Sequence, residues 1–252
     1  MKNIDVPTLT DQKNGPPSRG DRTIGKEWYK GYYASQGANR NSLLFNPEVL
    51  FQNLAQEAAV VRAVQSIGSN GLDERVLDVG CGDGSSLITF LRLGFPPHNL
   101  YGVDLQEGRI RRAQERFPSM HFQQGDATRL DYASETFDLL FESTMFIHSV
   151  DVQLSQQIAD EMLRVTKPGR HLILCDWRYA KPGSDAHKAL SPKRIARLFL
   201  AGEKAVRCGV FRGPLIPPIG RFLSHRSPAT YFLLQGLFPF LVGQLVTVLR
   251  KI

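Results

Sequence analysis

Arg75-Val76-Leu77-Asp78-Val79-Gly80-Cys81-Gly82-Asp83-Gly84 decides the fold. The first five residues form a short apolar run with an acid inside it. Three glycines at alternate positions follow, and then a helical pattern begins at Ser85. A strand, a glycine turn and a helix in that order let a backbone approach a nucleotide-like ligand, because glycine carries no side chain to block it. In a dinucleotide fingerprint the third glycine falls three residues after the second. Here Gly84 falls two after Gly82, but Ser85 is small enough to take the third place, so spacing alone leaves a dinucleotide open.

Four further stretches follow in order. Leu100-Tyr101-Gly102-Val103-Asp104 is a second apolar run ending in an acid, 24 residues after Gly80. A carboxylate at that distance sits at the tip of the next parallel strand, within reach of ribose hydroxyls. Then come Gln124-Gly125-Asp126-Ala127, Phe137-Asp138-Leu139-Leu140-Phe141-Glu142-Ser143, and Arg164 to Gly169 running into His171-Leu172-Ile173-Leu174-Cys175-Asp176. Strands alternating with helical stretches from 75 to 176 predict a parallel sheet covered on both faces. Its ligand crevice lies at the carboxyl ends of the strands, where Asp78, Asp104, Glu142 and Asp176 fall.

The set of five resembles the motifs of class I S-adenosyl-L-methionine (SAM)-dependent methyltransferases. That resemblance implies an α/β, Rossmann-like, seven-stranded, mostly parallel sheet in the order 3-2-1-4-5-7-6, with helices on both faces. It also implies the site. Gly80, Gly82 and Gly84 contact the cofactor, and Asp78 orders the loop. Asp104 takes the ribose, Leu105 covers the adenine, and Asp126 with Ala127 meets the adenine edge. Glu142 and Ser143 line the methionine end or the substrate. Trp28, Tyr32 and Tyr33 form a lid of aromatic residues. His148, just past the fourth strand, is the candidate base for a hydroxyl acceptor, and Asp176 and Arg178 are the next candidates for acceptor chemistry. No cluster has metal-ligand spacing.

The last third narrows the expectation. Cys175-Asp176-Trp177-Arg178-Tyr179, residues 189–199 and residues 214–221 are similar to stretches of bacterial sugar- and polysaccharide-modifying methyltransferases. That implies O-methylation of a sugar hydroxyl in a glycan, lipid-linked or nucleotide-linked precursor. The match departs at Arg170, where a second glycine is usual. A small non-sugar metabolite is the first alternative acceptor. A nicotinamide-dependent oxidoreductase and a non-catalytic cofactor-binding module are the alternatives of other classes.

Charge is unevenly spread. Residues 1–177 hold 18 Lys and Arg against 22 Asp and Glu, a net −4, while residues 178–252 hold 13 against 2, a net +11. The basic third suits an anionic acceptor or a peripheral contact with an anionic membrane surface. No interleaved basic and aromatic platform points to nucleic acid. The run 231–249 has no charged residue and is long enough to span a bilayer. Pro239 interrupts it, so it is expected to be a helix over 228–237 and a strand over 244–250 rather than a transmembrane span. Three scattered cysteines, Cys81, Cys175 and Cys208, give neither a disulfide framework nor a zinc pattern and fit a reducing, cytoplasmic setting.

Residues 1–24 are polar and are expected to be a disordered tail. Residues 25–70 form an N-terminal helical cap, 71–177 the cofactor-binding core, and 178–252 the acceptor-side segment with the last two strands. In the cap, Asn46-Pro47-Glu48 opens a helix, with Leu50, Leu54, Ala58 and Val61 expected on its buried face. The proline-rich stretch 213–219 is expected to be a loop.

Overall fold

A computed structural model describes residues 31, 42–149, 151–184, 187–224 and 226–252. The tail over 1–24, Trp28, Tyr32 and Tyr33 lie outside the described residues.

Seven strands form one sheet in the order β3-β2-β1-β4-β5-β7-β6, as expected. They are β1 (Val76–Val79), β2 (Leu100–Asp104), β3 (His121–Gln124), β4 (Phe137–Ser143), β5 (Thr166–Trp177), β6 (Ala205–Arg212) and β7 (Gln244–Lys251). The first five pair in parallel. β7 lies antiparallel between β5 and β6.

Alternation along each strand sorts its side chains onto two faces. Val76, Leu139, Phe141, Ile173, Val246 and Val248 pack on one side, against α1 (Leu50–Ser66), α2 (Leu87–Arg92) and α3 (Glu107–Arg116). Leu77, Val79, Leu140, Leu172 and Leu174 pack on the other, against α4 (Val152–Val165) and α5 (Pro192–Ile195). With apolar layers on both sides, β1 is buried at every position, and so is β4 up to Glu142. Asp151 starts α4 by accepting the Leu154 N–H at 2.8 Å.

Two expectations are corrected. Asn46 does cap the turn Pro47–Val49 that leads into α1. The buried stripe of α1, however, is Phe51, Ala55, Ala59, Val60, Ala63 and Val64. Leu50, Leu54 and Ala58 are exposed, and Val61 is half-buried. The alanines let the helix lie close on the sheet, and the leucine stripe turns outward. Second, residues 213–219 are only partly a loop. Pro217 and Pro218 open α6 (Pro217–Ser224), because a proline gives up no intrahelical bond in the first turn.

The uncharged run 231–249 divides as expected. It becomes α7 (Pro228–Leu237), a 3-10 turn Pro239–Leu241 and β7. No helix among the described residues is long and apolar enough to cross a membrane. Tyr231, fully buried, ties this lobe together as its hydroxyl accepts the Leu215 N–H at 3.2 Å.

Candidate functional site

The carboxyl ends of β1, β2, β4 and β5 meet at one crevice. After β1 the amides of Gly80 and Cys81 both donate to the Val103 carbonyl, at 2.8 and 3.0 Å, which turns the chain sharply over β2. Gly82 has φ 59°, and its N–H donates to Asp104 Oδ2 at 2.9 Å. A Cβ there would lie 2.1 Å from the Arg109 guanidinium, so any other residue at this positive φ would have to push the end of that side chain aside. Asp104 Oδ1 accepts the Gln106 N–H at 2.8 Å, and Arg109 stands 3.6 Å from Oδ2. Asp104 is thus held by the loop amides, with one lone pair on each oxygen still open to a hydroxyl.

Gly84 has a packing role as well. At φ 79° a Cβ there would collide with the Phe122 ring at 2.7 Å and crowd Phe117, so the glycine lets the chain ahead of α2 pack against β3.

Asp78 points to the same side as Asp104. It is 1% exposed, and neither carboxylate oxygen has a hydrogen-bond partner. Burial, reinforced by Asp104 and opposed by Arg109, raises its pKa to about 8. Glu142, fully buried, accepts the Met145 N–H at 3.2 Å on one oxygen and leaves the other unpartnered. Burial and the neighbouring Asp176 hold it well above the carboxyl range. Asp176 is raised to about 7 by burial although its oxygens accept the amides of Ile147, at 2.8 Å, and Trp177, at 2.6 Å. Buried carboxyls short of partners are costly, and a cationic group beside them would offset that cost. The thiols of Cys81 and Cys175 are pushed up by burial, so neither is a nucleophile.

The loop after β4 carries His148, half-buried, its ring centroid 5.0 Å from that of His187. Arg194 holds this loop from behind. Its guanidinium donates to the carbonyls of Phe146 (2.9 Å), Lys188 (2.7 Å) and Ser149, and to Ser155 Oγ (2.7 Å). Ser143 Oγ accepts from Gln56 Nε2 of α1 at 3.1 Å. Asp126 Oδ1 accepts from the amide and hydroxyl of Thr128, at 2.9 and 2.7 Å, and Ala127 packs on the core. The Leu105 carbonyl accepts from Gln124 Nε2 at 3.1 Å, fixing the strand tip beneath the half-buried Leu105 side chain. Arg178 Nη2 donates to the Pro239 carbonyl at 2.9 Å and to the Tyr179 hydroxyl.

Arg109, Met145, Gln56 and Arg194 escaped the sequence reading. Arg109 sits in a helix rich in exposed arginines, and nothing in the sequence marks it from Arg111 or Arg112. Arg194 carried a signal: a Ser-Pro helix start followed by a basic residue, whose depth only packing reveals. Among the described residues no group of three or more His, Cys, Asp or Glu is placed to hold a metal ion.

Residues 76–169 match the family model described as a methyltransferase domain. The demethylmenaquinone methyltransferase of Paenarthrobacter aurescens is 29% identical over 157 residues, 56% of this chain and 60% of that protein. The 2-methyl-6-phytyl-1,4-hydroquinone methyltransferase of Synechocystis is 36% identical over 106 residues, 40% of this chain and 31% of that protein. The chain thus spans 60% of the first relative's length and 31% of the second's. The crystal structure of a geranyl diphosphate C-methyltransferase from Streptomyces coelicolor, in complex with S-adenosyl-L-homocysteine, superposes with a TM-score of 0.57 at 15% identity, covering 77% of each chain. Residues 76–169 are thus similar to a methyltransferase domain, and the strand order and glycine turn around them are those of the Rossmann-like, class I methyltransferase fold.

Proposed function

We propose that this chain transfers a methyl group from SAM to an apolar acceptor of the quinone or lipid class. The observation that carries the cofactor reading is the pair of buried, under-bonded carboxyls, Asp78 and Glu142, beside a glycine turn. The ammonium of the methionine moiety, with the sulfonium beside it, would satisfy them. Bound there, SAM supplies a methyl on a positively charged sulfur.

The chain's own residues do the rest. Asp78 and Glu142 provide negative charge in a dry setting, where it acts strongly on a cation. Asp104, oriented by the amides of Gly82 and Gln106, takes the ribose hydroxyls. Leu105, Asp126 and Ala127 stand at the tips of β2 and β3 for the adenine. His148 takes the proton that the acceptor gives up as its new bond to the methyl forms. Asp176 and Arg194 hold the His148 loop from two sides, so we assign them positioning roles.

The acceptor class rests on the relatives, whose names specify demethylmenaquinone and a phytyl-bearing hydroquinone. The sugar hydroxyl is the rival. Its support is the similarity of residues 175–179, 189–199 and 214–221 to sugar-modifying enzymes, but Arg194 there spends its donors mainly on backbone carbonyls.

Calorimetry of the purified chain with SAM and with NAD tests the cofactor, and labelled SAM offered with prenylated hydroquinones and with nucleotide-linked sugars tests the acceptor. SAM binding with label in the hydroquinone is expected. Label in the sugar replaces the acceptor reading, and NAD binding without SAM binding overturns the function.

A further inference from the structure

We propose that the lobe inserted between β6 and β7 seats this protein on an anionic lipid bilayer. The lobe comprises α6, α7 and the turn Pro239–Leu241. Six large apolar side chains on it face solvent: Phe222, Phe232, Leu233, Leu237, Phe238 and Phe240, the last 63% exposed. The adjoining turn at 43–45, next to the segment on which α6 packs, adds Leu44 at 81% and Phe45 at 66% exposed. Scattered apolar residues on a surface need no explanation, but a cluster across one lobe does.

The lobe itself, residues 217–241, carries Arg221 and Arg226 and no Asp or Glu, and Arg178 and Arg212 stand beside it. Arginines border the apolar elements and hold them. The Arg226 guanidinium lies 4.0 Å above the Phe222 ring. Arg212 donates to the Gly236 carbonyl at 2.6 Å, at the end of α7. Arg178 donates to the Pro239 carbonyl. An apolar face bordered by arginines on a helix of ten residues is the pattern of an element that lies in the headgroup layer without crossing it.

Charge selects the occupant. A second copy would bring a like-charged lobe against this one. The chain's own first 41 residues hold seven Lys and Arg against four Asp and Glu, so they too are basic. An anionic bilayer complements both the apolar centre and the basic border. The proposal does not rest on methyl transfer, and SAM affinity is read separately.

The test is co-sedimentation of the full chain with vesicles of phosphatidylcholine alone and of phosphatidylcholine mixed with phosphatidylglycerol. Binding to the mixed vesicles, weakening as salt rises, is expected, with little on neutral ones. Arg226→Gln should weaken it about fivefold. The double variant Leu237→Ser and Phe240→Ser should weaken it by at least about tenfold. Both variants should keep the wild-type SAM affinity and melting temperature. Equal binding to both vesicle types, or none to either, overturns the proposal. So does a concentration-dependent dimer abolished by the double variant without vesicle binding, since that makes a second copy the occupant. A melting temperature lowered in the double variant, again without vesicle binding, points instead to the chain's own N-terminal segment.

Discussion

Burial keeps the Asp78 carboxyl protonated to about pH 8, whereas an unperturbed aspartate ionises near 3.8. Between those values the folded, ligand-free chain holds a proton that the unfolded chain has lost. Stability from this group is therefore present in full below about pH 4 and declines as pH rises towards 8. Asp176, raised to about 7, adds in the same direction. The melting temperature of the ligand-free protein should fall from pH 5 to 8, and Asp78→Asn, which cannot ionise, should flatten part of that fall in a thermal scan. Cofactor binding should show the opposite slope. A cationic ligand favours the ionised carboxylate, so binding releases a proton. SAM affinity should rise between pH 6 and 7.5 by up to about tenfold per pH unit, and Asp78→Asn should reduce that slope in calorimetry. Arg109 lowers and Asp104 raises the Asp78 pKa, so Arg109→Met should move the rise to higher pH.

The elements that position the site depend on close packing at a few points. Gly84→Ala must place a methyl 2.7 Å from the Phe122 ring at a positive φ. We expect a loss of about 1–3 kcal/mol, measured by denaturant unfolding and partly recovered by Phe122→Leu. Arg194 binds four acceptors of the loop and helix start around His148, a geometry that a single ammonium cannot span. Arg194→Lys should lower kcat by up to about 100-fold with SAM affinity nearly unchanged, as read by single-turnover kinetics and calorimetry. The strands and the acids at their tips were legible because apolar runs ending in Asp or Glu are local signals. Which face of α1 is buried was not legible, because alanine and leucine stripes both repeat at helical spacing. The start of α6 was misread because two prolines break a helix interior and yet suit its first turn. The packing of Gly84 on Phe122 was hidden because a glycine that admits a ligand and one that admits an aromatic ring look alike in sequence.

Across the whole molecule, the charge division seen in the sequence falls between two parts of one sheet. The parallel half carries the crevice, and the basic third supplies β6, β7 and the apolar lobe between them. The sheet order itself came from the likeness of five short motifs, since nothing local in 244–251 says that this strand lies inside β6. That placement bears on how the chain is made. During synthesis β6 leaves the ribosome before β7, yet among the described residues its strand partner in the finished sheet is β7. Until Gln244–Lys251 emerges, the open edge of β5 and both edges of β6 wait unpaired, a state prone to pairing with other chains. A nascent chain stalled where β6 has cleared the exit tunnel and Gln244 has not should therefore be bound by chaperones and cut readily by protease. One stalled far enough beyond Lys251 to clear the exit tunnel should resist.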